Sequence, residues 1–280
     1  MREISTVAIR DLVARLCRES NTCLGNDLYQ ALNAASQTEE SPVGRECLQC
    51  LIQNADIARA GQIPICQDTG MAVVFIDYGQ EIIIRDGDLT AAVNEGVRKG
   101  YEEGYLRKSV VQSPLQRTNT GDNTPAVIHT RIVPGSSLRI TVAPKGFGSE
   151  NMSRLAMLTP AQGLSGIKDF ILETVRLAGA NPCPPIIAGV GIGGTMEWAA
   201  LIAKKALLRQ VGSVNPDPEL AKLETELLNS INQLGIGPQG LGGRWTALAV
   251  HINTYPTHIA GLPVAVNLSC HVTRHCSGVI

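Results

Sequence analysis

Aromatic side chains are scarce in this 280-residue chain: three Phe, five Tyr and two Trp make up 4% of it. That leaves little material for base-stacking platforms. Charge of one sign is also missing. Lys and Arg total 24, Asp and Glu total 25, and the net charge is −1, so there is no electrostatic footprint for nucleic acid. Two stretches without Asp, Glu, Lys or Arg, residues 177–196 and 245–273, are too rich in Pro and Gly to be lipid-facing helices. They read as buried strands and turns, so no membrane is expected. A secretory leader is not evident either. Glu3, Asp11 and Glu19 interrupt the opening segment, which reads as an amphipathic helix, and a cytoplasmic location is the expectation. Under that expectation the eight cysteines are reduced thiols, available for packing, metal binding or catalysis.

What the chain does have is apolar side chains, 44% of residues, enough for a substantial core. Periodicity predicts helices over about 4–18, 26–36, 43–60, 88–105, 160–178, 195–209 and 215–233. Strands are predicted over about 71–76, 185–190, 245–253 and 262–268. A further strand pair, 126–132 and 138–143, is expected around Pro134-Gly135. The composition shifts near residue 62, from a helical N-terminal part to a mixed remainder. The expected class is α/β (α+β mixed), with the helical part packed on an α/β core.

Several segments could carry chemistry. Ile65-Cys66-Gln67-Asp68-Thr69-Gly70 crowds a thiol, a carboxamide, a carboxylate and a hydroxyl into a turn. An Asx-type turn explains Asp68 as well as a functional role does. Asn181-Pro182-Cys183-Pro184-Pro185 presents a thiol from a rigid segment, and the flanking prolines predict extended backbone there. Cys270, His271, His275 and Cys276 invite a zinc reading, although their spacing fits no closed zinc module. Cys47 and Cys50 form a CxxC inside an amphipathic helix, where packing is the expectation. Gly189-Val-Gly191-Ile-Gly193-Gly194 meets the GxGxxG pattern, but no acid follows at the distance a dinucleotide site needs. These glycines are expected to let the backbone approach a bulky group, such as a cofactor held by Cys183. Gly-rich loops at 121–125 and 145–151 could aim N–H groups at a carboxylate.

Taken in chain order, Cys66-Gln-Asp-Thr-Gly70, Thr120-Gly-Asp-Asn-Thr-Pro-Ala126, Lys145-Gly-Phe-Gly-Ser-Glu-Asn151, Asn181-Pro-Cys-Pro-Pro185 and Ser269-Cys-His271 resemble the class I fumarate hydratase and L-tartrate dehydratase family. The chain is similar to the separate α subunit of these iron–sulfur hydro-lyases, equivalent to the N-terminal half of single-chain members. The resemblance implies one cluster-binding domain over residues 1–280, with residues 1–61 mainly helical and 62–280 α/β. It implies a [4Fe-4S] cluster on Cys66, Cys183 and Cys270. Gln67, Asp68, Arg107, Gly148 and His258 would contact a dicarboxylate substrate, with Asp68 and His258 catalytic. A β subunit would supply the rest of the active site, and self-association of the α2β2 type would follow. The reaction implied is reversible hydration of fumarate to S-malate. L-tartrate dehydration to oxaloacetate is the near alternative, and a non-catalytic iron–sulfur scaffold or sensor is the alternative from another class.

Overall fold

Local capping sets several helix starts. Ser5 Oγ accepts from the Ala8 N–H at 3.2 Å and opens helix α1 (Thr6–Thr22). Asp88 accepts from Ala91 at 2.8 Å and opens α4 (Leu89–Glu103). Asp217 accepts from Glu219 at 2.9 Å, ahead of Pro218 at the first position of α8 (Pro218–Asn232). Each side chain satisfies an N–H that the helix itself cannot.

The computed structural model describes residues 1–280. The remaining helices are α2 (Asn26–Thr38), α3 (Pro42–Gly61), the single turn α5 (Phe147–Glu150), α6 (Gly163–Ala178) and α7 (Met196–Ala206). The strands are β1 (Arg2–Ser5), β2 (Met71–Gly79), β3 (Ile82–Arg85), β4 (Val127–Val133), β5 (Leu138–Lys145), β6 (Arg154–Leu158), β7 (Ile186–Gly193), β8 (Ala247–Tyr255), β9 (Leu262–Ser269) and β10 (Cys276–Val279). The mixture of helices and open mixed sheets is the α/β class expected. The chain forms two compact units: residues 1–25, 55–147 and 274–280 make the first, and residues 26–54 and 148–273 make the second.

In the first unit a four-stranded sheet runs β10-β5-β2-β4, beside a two-stranded parallel pair of β1 and β3. α1 and α4 close its core, where Leu16, Val93, Val97, Tyr101, Ile76, Leu138 and Ile140 are buried together. The expected strand pair around Pro134-Gly135 is not a pair. β2 lies between β4 and β5, parallel to the former and antiparallel to the latter. β2 is the more apolar strand, buried through Ala72–Ile76, and takes the central place. The Pro134-Gly135 turn therefore crosses the end of β2, and Gln80 and Glu81 donate to Val133 and Gly135.

In the second unit the sheet order is β6-β9-β7-β8, with α6 and α8 contributing Ile171, Val175, Leu227 and Ile231 to the core. The glycines of the GxGxxG stretch lie in β7, against α7. A Cβ at Gly189 would stand 2.3 Å from the Ala203 carbonyl oxygen, and one at Gly191 would stand 2.1 Å from that of Ala199. What the glycines admit is this helix, not a cofactor: the backbone of β7 and the small residues of α7 meet directly. The outer edge of β8 is covered by side chains. Asn232 pairs with both the N–H and the carbonyl of Ala247, while Glu224 accepts from Ile252 N and Asn215 donates to Ile252 O. Such capping blocks edge-to-edge pairing. Glu39, 1% exposed, ties the α2–α3 connection to the segment before β8 by accepting from the N–H groups of Ser41, Arg244 and Trp245.

His251 of β8 is 1% exposed. Burial, with the Arg209 cation nearby and only partly offset by Glu224 and Asp27, lowers its pKa to about 4. A depressed histidine pKa means that the unfolded chain binds the extra proton. Stability is therefore full above about 6.5 and is lost as pH falls toward 4, by on the order of 3 kcal/mol in all. His251→Leu should flatten the urea-midpoint slope between these pH values relative to wild type. Parallel slopes would show that the ring titrates normally.

Candidate active site

Residues 65–70 join the end of α3 to β2 in the first unit. Ile65 is buried, and its N–H donates to Asn21 O at 2.9 Å. Gly70 closes the turn at φ +77, with its α-carbon against the Lys145 backbone; a Cβ would come within 2.8 Å of Lys145 N and C. The main chain is gripped from three directions. Arg274 Nη2 donates to the Asp68 carbonyl. The Tyr101 hydroxyl donates to Thr69 O at 2.8 Å, with Gly70 O at 3.0 Å. Asn123 Nδ2 donates to Gly70 O at 3.2 Å. Burial pushes the Tyr101 phenol far above its ordinary pKa, outweighing the nearby Arg274 cation, so it remains a donor.

The same contacts bring Arg107 to the turn. Thr69 Oγ1 donates to Arg107 O at 2.9 Å, and Asn123 Oδ1 accepts from Ser109 N at 2.7 Å. The 121–125 loop thus acts through a buried Asn123 and is itself anchored by Asp122. Asp122 accepts from Thr124 N and Oγ1, and from Arg98 Nε at 3.0 Å. Burial opposes that charge, but the Thr124 and Arg98 hydrogen bonds win and hold the carboxyl at about 2. Gln67 and Arg107 are exposed, and Cys66 and Asp68 are half-buried. Asp68 is bonded on both oxygens, Oδ1 to Gly70 N at 3.0 Å and Oδ2 to Phe147 N at 2.8 Å. The Asx turn is therefore real, and the carboxylate also latches the turn to residue 147. Cys66, Gln67, Asp68 and Arg107 all lie in the first unit.

The second unit brings Cys183 and Cys270 to one end of its sheet. Cys183 precedes β7 and Cys270 follows β9; those strands are antiparallel, with Ile187 opposite Ser269. His271, next to Cys270, places its N–H 3.3 Å and its Nδ1 3.0 Å from Cys183 O. Gln239 donates through N and Nε2 to Pro184 O, both at 2.7 Å. The backbone at Cys183 is not extended as the flanking prolines predicted. Its φ is +55, because the chain must reverse within a tight turn, with Cys183 N donating to Ala180 O, before entering β7. A non-glycine residue held there is costly and is a common mark of functional sites. Gly148 is exposed, 3.5 Å from Asn181 O as measured from a built Cβ. Its neighbour Glu150 accepts from Lys204 at 2.5 Å and from Asn267 at 2.9 Å.

His258 is not brought to Cys183 and Cys270. It lies exposed in the β8–β9 connection, at the other end of β9 from Cys270. Eight strand residues at about 3.3 Å each separate the two ends by roughly 25 Å. Its Nδ1 accepts from Ala260 N at 3.2 Å.

None of the eight cysteines is in a disulfide. Burial pushes the Cys17 thiol up to about 12 and that of Cys276 up to about 11. Cys276 lies in β10 and packs against the first core. Cys47 and Cys50 sit on α3, and burial raises the Cys47 thiol as well. Cys17 and Cys276 behave as packing residues, Cys47 is half-buried and Cys50 is exposed. Within neither unit do three or more His, Cys, Asp or Glu side chains gather as a metal centre. The reading of the sequence missed Tyr101 and Arg274, and gave Asn123 no role of its own. No spacing marks them, since their bonds to the turn span 32 to 206 residues of chain; a tyrosine alone on the apolar face of α4 was the one available signal.

A family model for fumarate hydratase (fumerase) matches residues 10–279. The chain belongs to the fumarate hydratase (fumerase) family. It is 45% identical over 272 residues to a Methanocaldococcus jannaschii chain provisionally named L(+)-tartrate dehydratase subunit alpha, with 95% of each chain covered. It is 32% identical over 270 residues to L(+)-tartrate dehydratase subunit alpha of Escherichia coli K12, covering 95% of this chain and 88% of that one. The Shigella sonnei protein of the same name matches equally. Family and relatives together make this chain a hydro-lyase α subunit. No helix is long and apolar enough to cross a membrane.

Asp68→Asn is not an innocent replacement in this setting. An amide keeps one acceptor and turns its NH2 toward either Gly70 N or Phe147 N, donor against donor. The variant should lose about 1–2 kcal/mol of unfolding free energy. A thermal midpoint unchanged from wild type would mean that one of the two carboxylate bonds is not made in solution.

Proposed function

We propose that this chain is the cofactor-bearing half of a two-subunit hydratase that interconverts fumarate and S-malate. The observation that carries the reading is the turn of residues 66–70, in which a half-exposed thiol and a fixed carboxylate are held beside the main chain of Arg107. A scaffold or sensor needs only cysteines, and nothing in its work would require the carboxylate or the arginine.

The donor set suits an iron–sulfur cluster. Cys66, Cys183 and Cys270 form no disulfide, are on turns at strand ends, and are partly or fully exposed, whereas Cys17 is sealed in the core. Three thiolates on a [4Fe-4S] cluster leave one iron without a protein ligand, and such an iron supplies a Lewis acid for the hydroxyl that is gained or lost. The other roles fall to the chain. Arg107, exposed on a segment tied to the turn, would pair a substrate carboxylate through its planar fork. Gln67 would add a carboxamide contact, and the Gly148 N–H a backbone donor. Asp68 would exchange the C3 proton with substrate: hydration adds hydroxide at C2 and a proton at C3, and dehydration reverses both.

A β subunit would complete the site, as the relatives' names as α subunits suggest. His258, at the far end of the second sheet from Cys270, would reach a cluster site only from another copy of the chain. Self-association of α2β2 type gives it that place. A cytoplasmic location fits a reduced cluster. The relatives' names favour a second substrate, L-tartrate, which differs from malate by one hydroxyl and needs no different chemistry.

The pair reconstituted anaerobically with iron and sulfide should turn over fumarate, L-tartrate or both, at a sedimentation mass of two α and two β chains, while this chain alone is inert. A ratio of kcat/KM above about 100 for one substrate would name it. Full activity without the partner, or in a one-to-one complex, would contradict the reading.

A further inference from the structure

Arg274 carries an unresolved debt of hydrogen bonds. It opens the last segment of the first unit, 6% exposed. A guanidinium has five N–H donors. Nη2 donates to the Asp68 carbonyl, but Nε and Nη1 are closed to solvent and have no partner. A buried cation so poorly satisfied is strongly disfavoured unless negative charge lies close by. Within its unit the Asp68 carboxylate is that charge. Asp68 Oδ2 and Arg274 Nη2 both lie within 4 Å of the point where Gly146 would carry a Cβ. The buried Tyr101 phenol also feels both, one raising and one lowering its pKa. Lys145, also buried, borders the same loop and directs its Nζ to Gly146 O at 3.4 Å. Lysine thus attends residue 146, and arginine attends residue 68.

The pattern is more specific than a buried ion pair. Three consecutive carbonyls, those of Asp68, Thr69 and Gly70, are each held by a buried donor from a remote segment. Tyr101 and Asn123 are neutral. Arg274 alone is charged, and it holds the residue whose side chain must change partners during a proton transfer.

We infer that Arg274 is a positioning residue for Asp68: it fixes the backbone of the carboxylate-bearing residue and balances its charge, without touching substrate. The inference rests on the hydratase reading for its catalytic consequence, but the geometry it asserts can be tested without turnover. In the complete two-subunit complex, Arg274→Met keeps the length and removes the donors and the charge. Arg274→Lys keeps the charge and loses the fork. The first readout is amide hydrogen exchange at Gly70 and Phe147, whose N–H groups bond the Asp68 carboxylate. Both should exchange at least about tenfold faster in Arg274→Met, with Arg274→Lys between it and wild type. The second is kinetic: kcat should fall at least about tenfold, with KM and iron content near wild type, as expected when a group acts on the catalyst rather than on substrate binding. Unchanged exchange at these two amides would overturn the proposal, as would a raised KM with kcat intact, which marks a carboxylate binder. Loss of iron in parallel with activity would also overturn it, since the arginine would then serve the cluster. If Arg274→Met does not fold, Arg274→Lys decides alone, and wild-type exchange in that variant counts against the proposal. If the wild-type complex turns over neither fumarate nor L-tartrate, the hydratase reading fails, while the exchange experiment still judges Arg274.

Discussion

The constraint on which the rest of the first unit depends is the need to satisfy three adjacent, buried carbonyls in a turn with no strand partner. Arg274, Tyr101 and Asn123 do this from three remote places in the chain. An unmade bond at any of them would cost about 1–3 kcal/mol, so the turn can keep its shape only if the whole unit is assembled. That requirement places α4, which carries Tyr101 and packs on α1, beside the turn that leads into β2. It also places the 121–125 loop under the segment bearing Arg107. Folding the core and shaping the turn are therefore one event. The result is a thiol, a carboxylate and a guanidinium whose main-chain positions are fixed by the fold.

The second unit solves a related problem with fewer polar groups. α7 lies directly on β7 because Gly189 and Gly191 carry no side chains. The sheet is antiparallel between β7 and β9, which puts the lead into one strand and the exit of the other at the same end. Cys183 and Cys270 arrive there by topology, and His271 and Gln239 fix the local carbonyls. The same topology sends His258 to the opposite end. A histidine twelve residues from a cysteine looks near in sequence, but a strand running the length of a sheet turns that nearness into distance.

Much of this was legible in the sequence. Helices with a clear apolar period and a capping Asp or Ser, such as α4 and α8, were found within a few residues, as were the strands made of continuous apolar runs. The strands β1, β3, β6 and β10 were not. Each has four or five residues and depends on a partner remote in sequence: β6 and β10 add to the edges of β9 and β5, and β1 and β3 pair with each other, which no local pattern reveals. The misplaced pairing of β4 and β5 has the same origin: a turn signal says where a chain bends, not which strand slips between its arms. Residues 65–70 stood out as a candidate site because a thiol, a carboxamide, a carboxylate and a hydroxyl stand together. Their supports were not, because Arg274 and Tyr101 become adjacent to them only in three dimensions. The glycines of β7 matched a phosphate-binding pattern for a reason of packing alone.

The central proposal is that Cys66, Cys183 and Cys270 are the thiols that would hold an iron–sulfur cluster, and that the remaining cysteines are not needed for it. Iron and acid-labile sulfide per chain, measured after anaerobic reconstitution of single Cys→Ser variants, test it most directly. The account predicts that Cys66→Ser, Cys183→Ser and Cys270→Ser each lose most of the bound iron and sulfide. Cys47→Ser, Cys50→Ser and Cys276→Ser should keep both, with stability losses of only about 1 kcal/mol. Full iron and sulfide in any of the first three variants, or their loss in any of the last three, would contradict it.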